Sequence, residues 1–226
     1  MNPFRYPTKQ HRRRERPPAT NNYHDFKPFL RREFERKCIY CRLPDTLRGE
    51  SNFAVEHFKP KDLFPELLTV YSNLFYVCSS CNRRKWNIWP AAKEIKQGRF
   101  FPNPCANVMD KHIRYKNALV IPRSHAGVFL EEVMMLNTDE NGIAFRKHII
   151  RQLERLVTLQ KQLQLALRTM RLQRRKLGDP LKIAELDRMR AETVAELDQA
   201  RLDGQFLAGE ADLPPESRAD AHAAGV

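Results

Sequence analysis

Four of the five cysteines fall in two pairs, Cys38-Ile-Tyr-Cys41 and Cys78-Ser-Ser-Cys81. Two residues between thiolates let both sulfurs reach one metal ion from a tight turn. Two such turns complete a tetrahedral four-cysteine zinc site. A redox pair or two unrelated thiol motifs are the competing readings, and two pairs with no βαβ pattern around them favour structural zinc. The 36 residues between the pairs are more than a plain ribbon needs. They hold Val55-Glu56-His57-Phe58-Lys59-Pro60-Lys61 and Tyr71-Ser72-Asn73-Leu74, and the second pair runs straight into Asn82-Arg83-Arg84-Lys85. If zinc joins the ends, an acid beside a histidine, an asparagine on an apolar stretch and an asparagine opening a basic helix converge. Phosphodiester hydrolysis needs such a set: a base for water, a hard divalent ion for the developing charge, and cations for flanking phosphates. A lone histidine is ordinarily a core or surface residue; a cysteine frame, a neighbouring carboxylate and a basic helix shift that balance.

The order C-x-x-C, E-H-F-x-P, N-L, C-x-x-C-N-x-x-K over about residues 35–90 resembles the zinc-containing HNH endonucleases, which have the ββα-metal fold. The resemblance implies that His57 is the general base and that Asn73 holds the loop and orients its imidazole. It implies that Asn82 and Glu56 bind the catalytic divalent ion, and that Arg83, Arg84, Lys85, Lys59 and Lys61 contact nucleic acid. Cys38, Cys41, Cys78 and Cys81 hold zinc away from the reaction. Glu56 stands where many members have the shorter Asp. Asn82 stands at the third position, where hard amide and carboxylate oxygens favour Mg²⁺ or Mn²⁺ over a catalytic zinc; a helix N-cap is its alternative role.

Phe101-Pro102-Asn103-Pro104-Cys105 and the mixed stretch to about Gly142 resemble the extension in a subgroup linked to retron and Septu-type anti-phage systems. That narrower resemblance implies defence as the setting, a partner ATPase engaged through the C-terminal helices and, in some systems, a retron nucleic acid. Duplex DNA is the expected substrate and the bacterial cytoplasm the expected location. A non-catalytic zinc-stabilised nucleic-acid-binding module, or an assembly subunit, is the alternative; neither has a use for Glu56 beside His57. Trp86 and Trp89 are expected to pack the small domain's back face, with base stacking as the other reading. Cys105 reads as a buried free thiol rather than a ligand with His112.

The elements that must position these residues are legible in part. Phe26, Phe29, Leu30 and Phe34 recur at helical spacing and lead into the first cysteine pair. Ile149, Leu153, Leu156, Gln160, Leu163, Leu167, Met170, Arg174 and Leu177 alternate steps of four and three, a seam with two polar interruptions within a helix over 146–177. Gly178-Asp179-Pro180 stops that helix and starts another over 181–206. The pair is a helical hairpin, or two helices packed on the rest of the chain. The expected fold is α+β: a basic disordered arm over 1–22, an HNH domain over 23–99, a mixed extension over 100–145, a helical hairpin over 146–208 and a disordered tail over 209–226.

The 226 residues carry a formal net charge of +13, which points to a polyanionic partner. Residues 1–37 contribute +7 and residues 146–190 contribute +9, against +3 for the cysteine-bearing middle. Arg168, Arg171, Arg174, Arg175 and Lys176 cluster on the long helix, facing a duplex, an acidic partner or solvent. Hydrophobic residues at 42% support a core. No apolar run approaches the roughly 18 residues of a membrane span, and the basic N-terminus lacks the apolar stretch of a secretory signal. Without such a signal, disulfides are not expected.

Overall fold

The computed structural model describes residues 2–212, so the disordered tail expected over 209–226 lies outside the described residues from 213 onward. Two compact units divide the chain at residue 148.

The first unit, residues 2–148, joins short helices and two small sheets. Helix α1 (Lys27–Glu33) follows a single 3-10 turn at Tyr23–Phe26, as the Phe26-Phe29-Leu30-Phe34 spacing predicts. Strand β1 (Phe53–His57) pairs antiparallel with β2 (Leu74–Cys78), with His57 opposite Leu74 and Phe53 opposite Cys78. Helix α2 (Ser79–Lys85) continues directly from β2. Together they make a ββα unit, with α2 packed on both strands. The five residues of β2, Leu-Phe-Tyr-Val-Cys, are buried throughout, which explains their unbroken apolar character.

Helices α3 (Ala92–Lys96) and α4 (Met109–His112) lead to a second antiparallel pair, β3 (Ile113–Lys116) and β4 (Leu119–Pro122), and then to α5 (His125–Met134). Ser124 caps α5 by accepting from the Gly127 N–H at 3.1 Å. A Cβ on Gly127 would lie 1.8 Å from the His112 carbonyl oxygen, so only glycine permits this approach of α5. The extension over 100–145 packs on the cysteine region rather than standing apart: Tyr115 donates its hydroxyl to the Cys41 carbonyl at 2.9 Å.

The N-terminal arm corrects the expectation of disorder over 1–22. Phe4 and Tyr6 are each 1% exposed, and Tyr6 stacks on Tyr115 with ring centroids 5.2 Å apart. Each such side chain contributes about 1.5–3 kcal/mol by burial. Farther along, His11, Arg13 and Glu15 turn partly inward while Arg12, Arg14 and Arg16 are exposed, the alternation of an extended chain. His11 Nε2 lies 2.6 Å from Glu33 Oε1, and the backbone N–H groups of Arg14 and Glu15 donate to the same carboxylate at 2.8 and 2.9 Å. These bonds hold the Glu33 carboxyl below its usual range despite the opposing effect of burial. Arg13 donates to the Leu74 carbonyl at 2.7 Å and lies 4.6–4.9 Å from the ring centroids of Phe34, Tyr71 and Phe75. Composition hides this because the arm borrows its core from other elements.

The second unit, residues 149–212 as described, contains most of α6 (Glu140–Arg174) and all of α7 (Pro180–Ala208). Within it Leu153, Leu197 and Ala200 are buried, and Gln160 donates to the Ala200 carbonyl at 2.8 Å. Arg174 meets Asp187 through two bonds of 2.7 and 2.9 Å. The two polar interruptions of the seam are therefore cross-helix contacts of a hairpin. Asp179 caps α7 by accepting from Leu181 N–H at 2.9 Å, with Pro180 in the first turn. Gly178 is not among the residues of positive φ; α6 stops at Arg174, before reaching it. Among the described residues no helix is long and apolar enough to cross a membrane.

Candidate active site

The Cys38–Cys41 turn is closed by Arg42 N–H donating to the Cys38 carbonyl at 3.0 Å and Cys38 N–H donating to the Leu43 carbonyl at 2.9 Å. Ile39 N–H then ties the turn to the Tyr76 carbonyl on β2 at 3.1 Å. The second pair straddles the junction of β2 and α2, with Cys78 at the helix N-cap and Cys81 in its first turn. All four sulfurs lie within 4.8 Å of one another, and Cys41 Sγ is 3.7 Å from Cys78 Sγ. Tetrahedral Zn–S bonds of about 2.3 Å imply S···S separations of about 3.8 Å. The cluster therefore fits a four-thiolate zinc ion, and α2 starts from it.

His57 ends β1. Its Nε2 lies 2.9 Å from the Leu68 carbonyl. A carbonyl only accepts, so Nε2 carries the hydrogen and the neutral imidazole keeps its lone pair on Nδ1. Burial, together with Lys61, Lys85 and His24, lowers the His57 pKa, against the Leu68 bond. The Tyr23 ring stands edge-on at 4.7 Å, and Lys61 Nζ lies 5.4 Å from the Tyr23 centroid. Asn73 pins the loop after His57: its Oδ1 accepts from Lys59 N–H at 2.9 Å and its Nδ2 donates to the Lys59 carbonyl at 3.1 Å. Its backbone carbonyl also accepts from Phe58 N–H at 2.9 Å. Asn73 thus holds the loop, but the imidazole is oriented by Leu68, a residue the motif reading missed.

Glu56 occupies a different environment from its neighbour. Adjacent strand residues point to opposite faces, so Glu56 and His57 diverge. Lys85 Nζ lies 2.6 Å from Glu56 Oε1 and donates to the His57 carbonyl at 3.0 Å. Lys85 is fully buried and Glu56 is 5% exposed. Desolvation pushes the Glu56 carboxyl from the ordinary 4.5 up to about 7, with Lys85 working against the rise. It lowers the Lys85 pKa, again opposed by the partner. Two assignments change as a result. Glu56 is the counterion of a buried lysine rather than a carboxylate poised for a divalent ion. Lys85 is a core residue that no phosphate reaches.

The other basic residues separate in the same way. Arg84 donates to the Met134 carbonyl and to Asp139 Oδ2, each at 2.7 Å, clamping α2 to the end of α5. It is therefore a structural tie rather than a free phosphate ligand. Arg83, Lys59 and Lys61 are exposed. Asn82 lies inside α2, whose N-cap is Cys78, so the capping role is excluded. Three positions before Lys85, Asn82 neighbours it on the helix surface. Its side chain is half-buried and makes no hydrogen bond among the described residues. Of the predicted Glu56–Asn82 ligand pair, only Asn82 has a side chain not already committed to another protein group.

Trp86 and Trp89 part company. Trp89 packs edge-on against Phe58 and Phe64 at 5.6 and 5.8 Å. Trp86 is 73% exposed, with φ 43° and ψ −128°. A bulky residue at positive φ costs about 1–3 kcal/mol. Cys105 is a half-buried free thiol whose pKa is raised by burial. His112 instead meets Ser124 Oγ at 2.8 Å. Among the described residues the four-cysteine group is the sole cluster of three or more His, Cys, Asp or Glu ligands.

Comparison with known proteins agrees with this architecture. Residues 38–87 match the family described as HNH endonuclease, and the chain is of α+β construction. The chain is also similar to the Septu protein PtuB of Bacillus thuringiensis, 31% identical over 102 residues. The aligned part covers 45% of this chain and 37% of that relative, so the chain spans little more than a third of its length. No solved structure gives a significant match.

Proposed function

We propose that the chain is an endonuclease that hydrolyses DNA phosphodiester bonds, with His57 as general base. The observation that carries this reading is the His57 imidazole. It is held by Leu68 with its lone pair on Nδ1, on a loop pinned by Asn73, beside exposed Lys59 and Lys61. A lowered pKa keeps the imidazole neutral near pH 7, the state that accepts a proton from water. Lys59, Lys61 and Arg83 contact the flanking phosphates, and Asn82 is the residue of this chain available to a divalent ion. When bound, Mg²⁺ or Mn²⁺ offsets charge on the phosphate oxygens. Nothing in the site reads base sequence, so the expected substrate is duplex DNA with little intrinsic sequence preference.

The likeness to a Septu protein supports anti-phage defence as the setting. A partner ATPase engaging the helical hairpin belongs to that reading, as does retron nucleic acid in the related systems. The second reading, a zinc-stabilised binding module, is favoured by one observation: Glu56 is already committed to Lys85.

Supercoiled plasmid with Mg²⁺, Mn²⁺ or EDTA, and His57→Ala alongside, separates the two. Metal-dependent nicking that falls roughly 10²- to 10⁴-fold in the variant supports the nuclease and its base. Cleavage at the wild-type rate by a folded His57→Ala protein sinks the mechanism. DNA binding without cleavage, even with a purified ATPase partner added, supports the binding module.

A further inference from the structure

We propose that Trp86 is a base-stacking platform for the nucleic acid handled at the His57 site; this deepens the nuclease reading and rests on it for the substrate class. Three observations converge. First, Trp86 is 73% exposed although Trp89, three residues later, finds a full aromatic environment. Aromatic packing at this corner takes Trp89 and leaves Trp86 out. Second, the backbone there has φ 43°, a conformation glycine adopts freely and a tryptophan does not. A side chain that neither packs nor relaxes its backbone does not stabilise the free protein. Its benefit has to come from something it binds.

Third, the surroundings match a nucleic acid strand. Trp86 N–H donates to the Asn82 carbonyl at 3.0 Å, so the ring stands at the end of the helix that carries Asn82. Exposed Arg83 lies one turn back. The next residue, Asn87, bonds to Asp62, which joins this corner to the loop bearing Lys59 and Lys61. Leu63 and Ile88, 56% and 41% exposed, flank that bond. An exposed aromatic face near exposed cations is an arrangement that holds unpaired nucleotides without reading sequence, bases on the ring and phosphates on the cations. On duplex DNA the ring would take a base at an end or an opened step. The charge favours a polyanion over a protein surface, since Arg83 on the same helix and Lys59 and Lys61 on the tethered loop are exposed and the chain carries +13.

The test uses the full chain in EDTA, titrated with mixed-sequence DNA of about 16 nucleotides, single-stranded and duplexed. Intrinsic tryptophan fluorescence should be quenched on binding in the wild type and far less in Trp86→Phe, because Trp89 is the less exposed ring and packs against Phe58 and Phe64. Trp86→Ala should weaken binding roughly 5- to 150-fold. Trp86→Gly should weaken it equally while melting no lower than the wild type, since glycine relieves the positive φ; this separates lost stacking from lost folding. In cleavage assays the loss should appear in KM, with kcat within a few-fold. Affinity within twofold of the wild type for both the Ala and Gly variants overturns the proposal. So does undiminished quenching in Trp86→Phe, or a loss confined to capture of a purified protein partner. Quenching and weakened binding without any cleavage would sink the nuclease reading alone. Cleavage with unchanged KM in Trp86→Ala would sink this inference alone.

Discussion

On one face of β1, Glu56 lies 2.6 Å from a fully buried lysine; on the other, His57 donates to a backbone carbonyl beside exposed Lys59 and Lys61. Two neighbouring titratable residues thus meet opposite electrostatic fates. Desolvation raises the pKa of the carboxyl and lowers that of the imidazole, because burial penalises whichever form is charged. For Glu56 the consequence is structural: it is the counterion without which Lys85 would be a bare charge in the core. For His57 the same physics keeps a base neutral. The lesson is that adjacency in a motif does not imply a shared role on a strand.

The largest effect expected from breaking this contrast is on stability. Glu56→Gln, measured at pH 8, above the value of about 7 to which burial pushes the Glu56 carboxyl, should cost about 3–5 kcal/mol by stranding Lys85 without its counterion. Melting temperature should fall by roughly 6–20 °C. The double variant Glu56→Leu, Lys85→Met should recover most of that loss. A Glu56→Gln protein that melts normally but no longer cleaves would restore Glu56 as a metal ligand. His57→Ala should show the reverse pattern, with cleavage lost and less than half the stability cost of Glu56→Gln.

A smaller effect separates the two arginines beside Lys85. Arg84→Ala should cost about 1–3 kcal/mol by removing the tie to Met134 and Asp139. Arg83→Ala should change stability by less than about 0.5 kcal/mol while weakening DNA binding. It should also lower the salt slope of that binding by about one. Equal melting temperatures for the two variants would erase the distinction.

The smallest effect is in pH dependence. A base whose pKa is lowered stays neutral to lower pH, so kcat/KM should rise with pH through a midpoint below the ordinary 6.5 of histidine and then level off. Lys61→Ala should move that midpoint upward, since the Lys61 charge contributes to the lowering. An acid limb at or above 6.5 in the wild type would show that His57 is not the titrating base.

Much of the site was legible because its signals are local. The two C-x-x-C spacings predict a shared ion, and the sulfurs gather within 4.8 Å. The seam's spacing predicts the long helix, and its two polar interruptions, Gln160 and Arg174, bond across to the second helix. The N-terminal arm was not legible. Its arginines, prolines and few apolar residues bury nothing on their own, and Phe4, Tyr6 and Arg13 find their places on distant residues such as Tyr115, Phe34, Tyr71 and Phe75. The two-residue period of a strand sends Glu56 and His57 to opposite faces whatever the tertiary structure.

By itself the amino-acid sequence determined the cysteine frame, the order of histidine and asparagines, the two long C-terminal helices and the excess of positive charge, since each depends on residue type and short spacing. Tertiary structure alone decided which charges are free. Lys85 and Arg84 were taken into the fold while Lys59, Lys61 and Arg83 were left in water, and Trp89 was packed against Phe58 and Phe64 while Trp86 was left exposed. Solvation is the physical reason: a charge or a ring acts according to what removes it from water, and those groups come from elements distant along the chain.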